Sequence, residues 1–132
     1  MKDKFDTINK IKNYNFDYLT YEKGIEVANE KKHRYIYFLY KDYKIVYVGK
    51  TECAEDNKTN RPNAHTDKDY THFEMIELED DSLDIKITES YFIMKHTPEY
   101  NKSLPCTKEE KAILQYIFNT EWDPYKNQKY TI

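Results

Sequence analysis

Apolar and polar positions change their period along the chain. In residues 35–40 and 44–49 β-branched and aromatic side chains fill almost every position, with Lys41-Asp42-Tyr43-Lys44 between the two runs. Two such runs around a polar break predict an antiparallel hairpin. Both faces of both strands are apolar, so the hairpin is expected inside a sheet with helices packed against it. Residues 72–78 alternate through Phe73, Met75 and Leu78, as a third strand would.

Residues 83–96 carry a helical period with two apolar stripes. Leu83, Ile87, Tyr91 and Met94 form one, and Ile85, Phe92 and Ile93 the other, ahead of the stop at Pro98. A helix covered on two sides is expected. Thr107-Lys108-Glu109-Glu110 reads as a capping box that opens a last helix, with Ala112, Ile113, Tyr116 and Ile117 on its inner face. A short helix is expected from Pro62 to Asp69, with Asn60 or Arg61 near its start. Residues 1–33 form a polar arm, packed loosely, in which Thr20 is placed to cap a helix through Glu22, Ile25, Ala28 and Glu30, weakened by Gly24.

The order arm, ββ, α, β, α, α predicts an α+β fold: a central three-stranded antiparallel β-sheet flanked by helices, with an N-terminal arm and a C-terminal helix. With no repeat and no linker, the divisions are arm 1–33, core 34–104, and C-terminal helix and tail 105–132.

Composition supports one packed domain. The chain has 132 residues, 39% apolar and 16% aromatic, with 14 tyrosines and only two glycines, so its core must lean on tyrosine despite a mean hydropathy of -1.02. No signal-peptide pattern and no membrane-length apolar run is present, which predicts a cytoplasmic protein without a membrane partner. Cys53 and Cys106 are isolated and read as reduced thiols. His33, His72 and His96 share no metal-ligand spacing.

Net charge is -3, and its distribution is uneven. Residues 1–34 carry eight basic and six acidic side chains, whereas 74–106 carry three and eight. The acid centres on residues 77–84, a solvated turn by composition. An acidic chain is a poor electrostatic partner for DNA.

Candidate chemistry lies in the hairpin. Tyr37 and Tyr47 are ten residues apart with Asp42 midway between them. A loop of three or five residues puts both phenols on one face, and a two-residue loop puts them on opposite faces. The absence of Asn-Gly or Asp-Gly predicts the odd loop. Gly49 follows at the strand end, where a glycine admits a close approach of backbone or ligand. The plain alternative is that the tyrosines are core and the strand simply ends.

These residues resemble the paired signature of the GIY-YIG nuclease superfamily, with Tyr35-Ile36-Tyr37 in place of GIY and Tyr47-Val48-Gly49 in place of YIG. The likeness continues in order through Lys50, Arg61, His65 four residues later, Glu89 within the long helix, and Pro98-Glu99-Tyr100-Asn101. It spans about residues 34–104, and two features depart from it: Tyr35 stands at the first glycine, and the stretch between Gly49 and Arg61 is longer.

The resemblance implies a metal-dependent endonuclease that hydrolyses DNA. Tyr37, Tyr47, Arg61, His65 and Glu89 would be catalytic, Gly49, Lys50 and Asn101 would bind substrate, and Glu89 would hold Mg²⁺ or Mn²⁺. Similar proteins act in homing, restriction, repair and phage attack on host DNA, and specificity here would come from the arm, the loop after Gly49, the last helix, or a homodimer.

The residue types suit that chemistry. Phosphodiester hydrolysis needs a base for water, a cation on the non-bridging oxygens and a Lewis acid on the leaving oxygen. Either phenol could be the base if a cation lowers its pKa, and Arg61 could grip phosphate bidentately. The alternative is a catalytically inactive GIY-YIG-like protein that binds nucleic acid or a protein partner as a regulator or inhibitor, for which the net acidity speaks. A tyrosine-rich structural domain without a site would follow if Tyr37 and Tyr47 lay on opposite faces.

Overall fold

The computed structural model describes residues 2–27, 33–53 and 58–123. The chain runs α1 (Lys2–Asn13), β1 (Leu19–Glu22), β2 (His33–Lys41), β3 (Lys44–Cys53), α2 (Asn60–Asn63), β4 (His72–Glu77), α3 (Ile85–His96) and α4 (Lys108–Phe118). The fold is α+β, and its sheet has four antiparallel strands in the order β1-β4-β2-β3, one more than the sequence pattern indicates.

The added strand is β1, drawn from the arm. Thr20 and Glu22, expected at the cap and start of a helix, lie in this strand instead, which pairs with β4 from Leu19↔Met75 to Glu22↔His72. Leu19, Thr20 and Glu22 are exposed, so no burial alternation announces the strand, and pairing with a distant partner decides it. The far part of that expected helix, Ala28 and Glu30, lies outside the described residues, as does the tail beyond Asp123. Nor is the arm loosely attached. Ile8 and Ile11 of α1 are fully buried among the core residues of α3 and α4.

β2 is apolar on both faces, and two cores result. Ile36, Phe38, Val48 and Ile76 face the helices, where α3 buries Ile87, Tyr91, Phe92 and Ile93 and α4 buries Ile113 and Leu114. On the opposite face Tyr35, Tyr37, Leu39, Phe73 and Met75 are covered by Tyr70 and the half-buried Tyr47 and Tyr100, without a long helix. The second cover is therefore a loop, residues 58–71, where helices were expected. This tyrosine face holds the candidate site.

The hairpin turn also differs from expectation. Asp42 and Tyr43 form a two-residue turn with φ of 52° and 65°, the left-handed pair that suits the twist of a hairpin. Tyr43 is 97% exposed, so its ring meets no steric conflict there. Register then slips between Leu39 and Tyr40: Tyr40 pairs with Ile45 and Leu39 with Tyr47, leaving Val46 as an extra residue in β3. That bulge restores the parity lost by the short turn, and Tyr37 and Tyr47 share one face after all.

The long helix begins at Ile85 rather than Leu83, because the Asp84 carboxylate accepts from the Ile87 N–H at 2.9 Å and fixes the cap. The final helix has the expected capping box: Thr107 Oγ1 accepts from the Glu110 N–H at 3.2 Å, and the Glu110 carboxylate accepts from the Thr107 N–H at 2.9 Å. The short helix is only Asn60–Asn63, one turn. The acidic 78–84 turn folds around Arg34, whose guanidinium donates to the carbonyls of Leu78, Asp80 and Leu83 at 3.3, 3.1 and 2.8 Å.

Candidate functional site

Tyr37 sits opposite Gly49 in the β2–β3 ladder, and its ring lies across the glycine. A Cβ built at Gly49 would be 2.3 Å from Tyr37 Cζ and 2.4 Å from its hydroxyl oxygen. The close approach foreseen at Gly49 is thus filled by a side chain of the protein itself. Tyr37 is completely buried, while Tyr47, one diagonal away with ring centroids 6.1 Å apart, is only half-buried.

The loop after β3 brings the next groups. Asn63 acts as a latch: its Oδ1 accepts from the Gly24 N–H at 2.9 Å and its Nδ2 donates to the Ile25 carbonyl at 3.0 Å. The buried Tyr70 hydroxyl donates to the Pro62 carbonyl at 2.7 Å, and the buried Thr59 hydroxyl accepts from the Val27 N–H at 3.3 Å. Held on both sides, the turn delivers His65 to the tyrosines. Its Nε2 is 2.6 Å from the Tyr37 hydroxyl, and its ring is 4.7 Å from that of Tyr47.

Glu89 projects from the middle of α3 and is 8% exposed. Burial pushes its carboxyl up to about 7, against the downward pull of Lys50 and Arg61. Burial and the Tyr47 phenol raise Tyr37 far above the ordinary phenol value, while Arg61 pulls it back by charge and hydrogen bond and Glu89 adds to the rise. Tyr47 is raised by burial and then by Glu89, and lowered by Arg61 and the Tyr37 hydroxyl. His65 is held below its usual value by burial, Lys68 and Arg61, so it is neutral at neutral pH. Five groups from β2, β3, the 58–71 loop and α3 therefore feel one another electrostatically.

Two of the expected substrate-binding residues have structural work. Asn101 is buried, and its side chain pairs with β3 as another strand would: Oδ1 accepts from the Val48 N–H at 2.9 Å, and Nδ2 donates to the Val48 carbonyl at 3.0 Å. Asn101→Ala is therefore expected to cost about 2–3 kcal/mol in urea unfolding, since two buried backbone groups lose their partners. A loss under about 0.5 kcal/mol would return Asn101 to a substrate role. Gly49 holds the Tyr37 ring, as described. Lys50 lies on β3, half-buried, with its charge on Glu89.

Lys68 escapes a reading of the sequence. Its ammonium sits over the Tyr47 ring at 4.7 Å and contributes to the neutrality of His65. Nothing local in the sequence marks it, or the latch at Asn63, because each acts on a partner brought in by folding.

Among the described residues no group of three or more His, Cys, Asp or Glu side chains converges as a metal site, and Glu89 stands as a single carboxylate. A lone, buried carboxylate does suit Mg²⁺ or Mn²⁺, hard cations that keep several waters and use few protein ligands. No helix among the described residues is long and apolar enough to cross a membrane. Comparisons with protein-family models, curated proteins and solved structures find no match to this chain.

Proposed function

We propose that this chain is a metal-dependent endonuclease with a GIY-YIG-type site, hydrolysing DNA phosphodiester bonds. The observation that carries the reading is the convergence of Tyr37, Tyr47, Arg61, His65 and Glu89 from four separate segments, with Tyr37 at 2.6 Å from His65 Nε2. A merely structural tyrosine core needs no arginine, histidine and buried carboxylate beside it.

Burial divides the labour between the phenols. Tyr47 is the one that water can reach, and Tyr37 lies behind it. A phenol raised above its ordinary value is a weak base unless its own proton has somewhere to go. Neutral His65 provides the place. As Tyr47 takes a proton from water, its own proton passes to the Tyr37 oxygen, and the Tyr37 proton passes to His65 Nε2, which becomes imidazolium. The hydroxide attacks phosphorus and the bond to the leaving oxygen breaks.

Arg61, exposed on its turn, grips the non-bridging oxygens with a planar fork that lysine lacks. Lys50 adds a second positive charge near Glu89. Mg²⁺ or Mn²⁺ held by Glu89 would supply Lewis-acid stabilisation of the leaving oxygen. Net acidity does not oppose the reading, because Asp80 is paired with Lys10 at 2.7 Å and Asp84 caps α3, while Lys50, Arg61 and Lys68 act on the site.

The test is cleavage of supercoiled, linear and branched DNA with Mg²⁺ or Mn²⁺, against EDTA. Cutting is expected only with metal, with Tyr47→Phe lowering the rate by about 10²–10⁴-fold. DNA left intact in every form with either metal would overturn the reading and favour the inactive, binding alternative.

A further inference from the structure

Three lysines lie over the tyrosine face. Lys23 Nζ is 4.3 Å from the centre of the Tyr70 ring, Lys58 Nζ 5.4 Å from that of Tyr21 and 5.5 Å from that of Tyr35, and Lys68 Nζ 4.7 Å from that of Tyr47 and 6.0 Å from that of Tyr100. All five rings belong to the core on this side of the sheet or pack against it. The cations therefore form an outer layer over the tyrosines. Arg61, exposed in the 58–71 loop, adds a fourth positive charge beside Tyr37 and Tyr47.

We propose that this layer is a docking surface for the sugar-phosphate backbone of duplex DNA, gripped without regard to sequence by Lys23 and Lys58 on the β1 side of Arg61 and by Lys68 on the β3 side. The inference deepens the nuclease reading and rests on it for the phosphate that is cut at Arg61. Binding to the surface, however, is measurable without cleavage.

Separate point charges of one sign suit a partner with regularly spaced charges of the other. Each ammonium turns one side to a ring and keeps donors for an oxygen on its outer side. A lysine stem already settled on an aromatic face also has less freedom left to lose when a phosphate arrives. From β1 to β3 the sheet is three strand spacings wide, about 14 Å, which is room for about four phosphates at about 3.4 Å of duplex axis each.

The same arrangement favours a duplex over a single strand. A single strand is held largely by stacking its bases on open aromatic faces. Tyr35 and Tyr70 are only 4% and 3% exposed and have lysines over them, so they offer no such platform. What remains on offer is charge, and a duplex presents its phosphates outward while its bases stay stacked. Acidic groups set the limits of the surface. Asp17, Glu77 and Glu79 gather beyond Tyr35, where a phosphate is repelled. Asp69 is ion-paired with Lys41, and the largely exposed Asp67, 3.4 Å from Lys68, is a weak competitor for that lysine.

Fluorescence anisotropy of a labelled duplex of about 20 base pairs, titrated with the metal-free full chain in EDTA between about 50 and 200 mM NaCl, tests the surface. For about four contacts, log Kd should rise with log[NaCl] with a slope of about 3–4. Lys23→Gln with Lys58→Gln should lower that slope by about 2, equally for A·T-rich and G·C-rich duplexes. Lys12→Gln with Lys108→Gln removes the same charge from exposed positions on α1 and α4 and should leave the slope unchanged. Lys23→Arg with Lys58→Arg keeps the charge over the rings and should bind as the original chain does, which separates a lost contact from a lost fold.

Equal losses in the two glutamine pairs would reduce the effect to net charge and overturn the proposal. So would failure of the arginine pair to keep the original slope, a single strand of the same length binding as tightly as the duplex, or no binding at about 50 mM NaCl up to about 100 μM protein. A chain that cuts DNA with its salt slope unmoved by Lys23→Gln and Lys58→Gln refutes the docking surface alone. One that binds through these lysines and cuts with neither Mg²⁺ nor Mn²⁺ refutes the nuclease reading alone.

Discussion

Glu89→Gln is expected to stabilise the metal-free protein at about pH 8 by up to about 3 kcal/mol, near 10 °C in Tm, while abolishing cleavage. The carboxyl is raised from an ordinary 4.5 to about 7, chiefly by burial. Below the lower value both folded and unfolded chains are protonated and nothing is lost. Between the two values the unfolded chain gives up its proton first, so the folded state binds more protons and stability declines as pH rises. Above about 7 the penalty is complete, at about 1.4 kcal/mol for each pK unit.

Glutamine keeps the shape and removes the charge. The gain should therefore vanish at about pH 4, and thermal unfolding of both proteins at the two pH values measures it. Mg²⁺ should raise the Tm of the original chain and leave the variant unmoved. Proton and metal compete for the same oxygens, so cleavage at limiting metal should fall about tenfold per pH unit below 7. If Glu89→Gln destabilises at both pH values, Glu89 is a structural hydrogen-bonding group and the metal assignment is wrong.

Gly49→Ala is expected to be strongly destabilising. The added carbon falls 2.3 Å from Tyr37 Cζ, a separation that no pair of non-bonded carbons sustains. The Tyr37 ring is fully buried and cannot swing away without opening the tyrosine face. A loss of about 3 kcal/mol or more in urea unfolding is expected, with cleavage lost as the Tyr37–His65 contact breaks. In Gly49→Ala with Tyr37→Leu the clash is relieved, so the two costs should fall short of their sum by at least about 1 kcal/mol. Strict additivity would mean that the strand shifts instead of the ring.

The parts of the fold that sequence reveals are those whose causes are local. The capping box at Thr107–Glu110 and the covered helix ending before Pro98 appear as their spacing indicates. β1 did not declare itself, because Leu19–Glu22 is held by β4 fifty or more residues away and buries little of its own surface. The face shared by Tyr37 and Tyr47 was legible for a reason that proved incomplete. A two-residue turn and a bulge at Val46 cancel, and only their sum can be read from a spacing of ten.

The site divides in the same way. Tyr37, Tyr47, Arg61, His65 and Glu89 are named through the resemblance to the GIY-YIG signature, and folding brings them within electrostatic reach of one another. Asn101 was named too, but its amide is committed to Val48, a partner 53 residues away that no motif predicts. Lys68 and Asn63 gave no local sign, since a lysine or asparagine in a polar loop is the commonest of choices.

The pairing of Asn101 with Val48, together with the Tyr100 N–H on the Val46 carbonyl at 3.0 Å, bears on how the molecule behaves in company. A row of bare backbone groups along ten residues of β3 would be a template on which another polypeptide could lay itself down. Two consecutive residues from the segment after α3 take up the middle of that row. The other margin of the sheet belongs to β1, only four residues long. Resistance to intermolecular strand exchange thus rests partly on one side-chain amide, and its loss would be felt in concentrated solution before it was felt in any single molecule.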